Sequence, residues 1–147
     1  MPRRRLEGID TYLGIDPGRK TGLAVWHAAR EELEIFPAMP FWEAWEKVTG
    51  SYPPSETAAV IEDPTQNRPV FRRGTSGRRR EKIAQDVGEN KAHAKLWIEG
   101  LERLGYAVRR VRPTQKKWSK RTFERITGYT GRSSSHARDA ARLVFGI

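Results

Sequence analysis

Two periods of apolar residues run through this chain, one of two and one near 3.6, and they divide it into strands and helices. Residues 11–16 (TYLGID) and 21–27 (TGLAVWH) are short apolar runs separated by Pro17, Gly18, Arg19 and Lys20. Runs of this length bounded by Pro-Gly predict the two strands of a hairpin. Residues 32–38 (ELEIFPA) alternate loosely and predict a third, antiparallel strand with Pro37 at its end. Residues 41–49 are apolar at 41, 42, 45 and 48, a helical period. Trp42 and Trp45 are read there as core anchors, not as a base-stacking platform. Pro53 and Pro54 mark a linker over 50–56. The continuous run 58–61 (AAVI) predicts a strand buried on both faces.

The second half begins without a period. Residues 63–82 lack any regular spacing, and the composition predicts a long mobile loop, arginine-rich over 64–82. Asp86 followed by Glu89 resembles a capping box, so a helix is expected from there to about Leu104. Ala94, Trp97, Ile98 and Leu101 form its buried stripe and Gly105 stands past its end. Residues 106–111 (YAVRRV) predict a fifth strand and 122–127 a short helix. The turn at 128–135 can cap a last helix over 134–146. At about 100° per residue its buried face is Ala137, Ala140, Ala141 and Val144, with Arg138 and Arg142 turned to solvent. The 147 residues suit one domain, 1–147, preceded by a loose basic arm at 1–10.

Charge then narrows the partners. Lys and Arg number 28 against 18 acids, a formal charge of +10. A surplus of this size points to a polyanion, nucleic acid before an acidic membrane. The cations are also clustered. Seven fall in 63–82, including Arg72, Arg73, Arg78, Arg79 and Arg80 beside Phe71. Eight more fall in 109–125, including Arg112, Lys116, Lys117 and Lys120. The first cluster reads as a loop that contacts nucleic acid. No apolar run approaches the ~20 residues of a membrane span. The first ten residues have no apolar core and do not read as a secretory signal. With no cysteine there is no disulfide partner and no thiolate metal site. A metal here would be held by oxygen and imidazole, which favours magnesium or manganese.

Four residues are candidates for that role. Asp16 and Glu62 each end a buried apolar strand, where a carboxylate is costly without compensation. A cation would supply it, although a turn aspartate bonded to its own loop is the plain alternative for Asp16. His136 and Asp139 lie three apart at the edge of the alanine-rich face of the last helix, and so are neighbours. Spacing alone does not make these elements converge.

At these residues the sequence resembles a known family. GIDPG followed by TGLAV (14–18 and 21–25) is similar to the opening motif of the RuvC-type Holliday junction resolvases, in the RNase H-like superfamily. IED at 61–63 fits that family's second acid, GENKAHA at 88–94 the start of its central helix, and HARDAARLVFG at 136–146 its final helix. The hairpin tip is shorter than in typical members and the loop after Glu62 richer in arginine. The fold class that the resemblance implies is α/β, with an RNase H-like fold: a five-stranded mixed sheet, its first three strands antiparallel, with helices on both faces. It makes Asp16, Glu62, His136 and Asp139 the metal-binding and catalytic set for two magnesium or manganese ions. His136 is alternatively a general base, since an unperturbed imidazole titrates near neutrality. Lys116 and Lys117 would steady the scissile phosphate, and Phe71 would stack on an unpaired base. The implied activity is resolution of four-way DNA junctions by a homodimer through paired nicks leaving 5′-phosphates, in the cytoplasm of a bacterium or a phage-infected host. Two rival readings are an RNase H-like nuclease acting on RNA, flaps or other branches, and a non-catalytic junction-binding protein.

Overall fold

The computed structural model describes residues 4–66 and 77–147. Its elements are β1 (Thr11–Asp16), β2 (Gly22–His27), β3 (Glu32–Ile35), α1 (Phe41–Ser51), β4 (Thr57–Glu62), a 3-10 turn (Pro64–Gln66), α2 (Gly77–Arg103), β5 (Ala107–Val111), α3 (Lys120–Thr127) and α4 (Ser135–Val144). The strands form one mixed sheet in the order β3-β2-β1-β4-β5. β1, β2 and β3 are antiparallel neighbours, joined by tight turns. β4 lies parallel to β1, and β5 parallel to β4. A parallel neighbour requires a crossover, and α1 and α2 provide the two crossovers.

Alternation along the strands sends side chains to two separate cores. Leu13, Ile15, Leu23, Val25, Ala59 and Ile61 face Ala44 and Val48 of α1 and Trp97, Ile98 and Leu101 of α2. Tyr12, Trp26, Ala58 and Val60 face Leu143 and Val144 of α4. Ala24 meets Phe123 of α3 with Ala140 and Ala141 of α4. Helices therefore cover both faces, as expected. β1 and β4 are the central strands and are buried on both sides, which is why they read as continuous apolar runs.

Several expectations are corrected. The helix expected from Asp86 starts at Gly77, so Asp86 lies inside it and not at its start. Residues 77–82, read as loop, are its first turns. Arg, Lys and Glu are good helix formers, and a run of them leaves no apolar period to read. The rest of the expected loop, 67–76, lies outside the described residues. Trp42 is not a core anchor but 69% exposed. Phe41, Ala44, Trp45 and Val48 make the inward stripe of α1, and Trp42 falls beside it. Residues 4–10 are not a loose arm. The Leu6 N–H donates to the Tyr12 hydroxyl at 2.7 Å, Arg109 donates to the Arg4 carbonyl at 2.9 Å, and Arg5 pairs with Asp10 at 3.2 Å. Arg138 does not project freely into solvent. It is half-buried and donates from Nη1 to the Ser133 carbonyl at 2.7 Å.

Candidate active site

β1 and β4 are parallel and adjacent, with Ile15 beside Ile61. Their last residues, Asp16 and Glu62, therefore leave the sheet side by side at its C-terminal edge. Ile15 and Ile61 point into the α1–α2 core, so by alternation the two carboxylates belong to the opposite face, the one α4 covers.

α4 reaches that edge because of two glycines. A Cβ at Gly14 would run into the Ala140 carbonyl, and one at Gly22 into the His136 carbonyl. Gly22 is the pairing partner of Asp16 across the hairpin. The helix thus lies with its backbone on the backbone of β1 and β2, closer than any side chain would allow. Ser134 caps its start, accepting from the Ala137 N–H at 3.1 Å. This seating puts His136 Nδ1 3.3 Å from Asp16 Oδ2. Asp139, one turn on, joins the same cluster.

The fifth member comes from the connection between β5 and α3. Lys117 Nζ stands 3.6 Å from Glu62 Oε1 and 3.4 Å from Asp139 Oδ2. The three carboxylate side chains are 13–16% exposed, whereas Lys117 is 45% exposed and His136 49%. Asp16 carries the electrostatic cost. Burial first, then the charges of Glu62 and Asp139, push its carboxyl up to about 6, although the His136 hydrogen bond and the Lys117 charge oppose this. Lys117 shows the complement. Burial pulls its ammonium down, but Glu62, Asp139 and Asp16 outweigh that and hold it above the usual lysine value.

All four sequence candidates, Asp16, Glu62, His136 and Asp139, are thus brought together from β1, β4 and α4. Among the described residues no three His, Asp or Glu groups form a ready-made metal cage. In this arrangement the Lys117 ammonium stands between Glu62 and Asp139. The donor chemistry nonetheless suits a hard divalent ion: three clustered carboxylates, one imidazole and a surplus of negative charge that burial makes costly.

The expected DNA-contacting residues divide differently. Lys117 is in the cluster itself. Arg112 and Lys116 flank it on the same connection, and Lys120 opens α3, paired with Glu124 at 3.9 Å. Phe71, Arg72 and Arg73 lie outside the described residues. Arg78, Arg79 and Arg80 are placed by backbone in the first turn of α2. Sequence reading missed the seating role of Gly14 and Gly22, for which glycine inside a strand was the available signal. It also missed Asp63, buried beside Glu62, which caps the 3-10 turn by accepting from the Thr65 N–H and hydroxyl at 3.0 and 2.7 Å. Compared with protein-family models and with curated proteins, the chain matches none.

Proposed function

We propose that the protein is a metal-dependent, structure-selective endonuclease of RNase H-like type that resolves four-way DNA junctions by paired nicks, acting as a homodimer. The observation that carries this reading is the meeting of Asp16, Glu62, His136 and Asp139 at one edge of the sheet, with Asp16 raised by burial and by the charges of Glu62 and Asp139. The order of strands, with the first acid on a central strand beside the second, supports the RNase H-like assignment. So does the return of the last helix to the same edge.

Asp16, Glu62, Asp139 and His136 would hold magnesium or manganese. Bound there, the metal would supply Lewis-acid stabilisation of the phosphodiester and a water of lowered pKa. The protein's own groups do the rest. Asp16 is central, bonded to His136 on one side and facing Glu62 and Asp139 on the other. His136, half-exposed at the start of α4, is placed to orient or accept a proton at the solvent side. Lys117, paired with Glu62 and Asp139, is a cation in position to meet a phosphate arriving there. The chain's charge of +10 supplies the long-range attraction for DNA.

The test is cleavage of a synthetic four-way junction labelled on two arms, with and without Mn²⁺. Paired symmetric nicks are expected from the native protein and none from Asp16→Asn, which keeps most of its junction binding. Products from a flap or an RNA duplex but not from the junction would replace the substrate assignment. Tight junction binding without product in either metal would make it a binding protein.

A further inference from the structure

The connection from β5 to α3, residues 112–119, has no regular structure, yet it delivers one side chain to the acidic cluster. Trp118 packs beside Phe123 and the α4 alanines, so the residue after Lys117 is anchored. Lys117 N–H donates to the Gln115 carbonyl at 3.0 Å, which tightens the turn before it. From this fixed base the ammonium reaches Glu62 of β4 and Asp139 of α4 together, at 3.6 and 3.4 Å. One positive charge thus ties the two sides of the cluster. An ammonium between two carboxylates and a divalent ion drawing on the same oxygens compete for one charge-balancing position.

We propose that Lys117 is a built-in competitor for the cation of this site: it neutralises Glu62 and Asp139 when no divalent ion is bound and is displaced when one enters. The inference rests on the proposed reading only in that the site takes a divalent ion. It gives Lys117 two alternative partners, the carboxylates in the metal-free protein and, once displaced, a phosphate of the substrate. The half-exposed stem allows the ammonium to swing outward without moving Trp118.

The experiment measures Mn²⁺ binding to the whole chain by titration calorimetry, alongside thermal melts in EDTA and in saturating Mn²⁺. Native protein, Lys117→Met and Lys117→Arg are compared. Lys117→Gln is carried in parallel so that the answer does not depend on one variant folding. Removing two partly exposed ion pairs should tighten Mn²⁺ binding by about three- to tenfold in the Met and Gln variants. Both should melt lower than native protein in EDTA and level with it in Mn²⁺. Lys117→Arg should follow the native protein. Equal or weaker Mn²⁺ affinity in the Met and Gln variants overturns the proposal and leaves the nuclease reading standing. So does a loss of melting temperature that is the same with and without metal, since that marks a purely structural lysine. Absence of Mn²⁺ binding by the native protein overturns both.

Discussion

Asp16 is where the cost of the site is concentrated. Its usual value is 3.8 and its folded value about 6, raised by burial and by Glu62 and Asp139. The folded protein therefore holds a proton that the unfolded chain releases between those limits. Stability from this group is complete below about pH 4 and is lost as pH rises through about 6. At ~1.4 kcal/mol per pH unit, the loss by pH 8 is about 3 kcal/mol. Asp16→Asn in EDTA should accordingly be more stable than the native protein at pH 8 by up to about that amount, and level with it near pH 4, by urea denaturation. A difference that does not change with pH would mean that Asp16 is not the strained member. The candidate acids were legible in the sequence because a carboxylate at the end of a buried apolar run is an anomaly. The pairing of Lys117 with two of them was not, since a lysine in a basic stretch looks like any other.

At the scale of elements, the seating of α4 decides the geometry. Gly22→Ala would force the His136 carbonyl away from β2, and such overpacking costs about 1–3 kcal/mol. It should lower the melting temperature and, on the proposed nuclease reading, abolish nicking although every acid is still present. Gly50→Ala, where an added methyl meets nothing within 4 Å, is the control and should be neutral or slightly stabilising. Ser134→Ala removes the cap of α4 and should cost about 1 kcal/mol in the same melts. The strands and α4 were legible because each buries a face and so carries a period. The first turns of α2 were not, because charged helix formers there leave no apolar stripe. Trp42 misled because a large aromatic at the margin of a helical stripe counts as periodic whether or not it turns inward.

For the whole molecule, the sequence showed the parts and their order but not their convergence. Nothing in the spacing of residues 16, 62 and 136–139 says that the last helix returns across β1 and β2; the contact of Gly14 and Gly22 with its backbone does. The basic surplus belongs to this scale too. On the proposed reading junction affinity should fall steeply as salt rises, and Lys116→Ala, if Lys116 meets a phosphate, should reduce the slope of log affinity against log salt by about 1. An unchanged slope would remove Lys116 from the phosphate contacts. At Gly14 and Gly22 the strands meet α4 peptide on peptide, with no strand side chain between them to absorb a shift. A change in twist of the β1–β2 ribbon should pass to His136, whose carbonyl sits on Gly22, and one turn on to Asp139. Conservative replacements well away from the pocket, at the outer turns of that ribbon, should therefore surface as proteins that fold and dissolve normally yet, on the proposed nuclease reading, nick slowly.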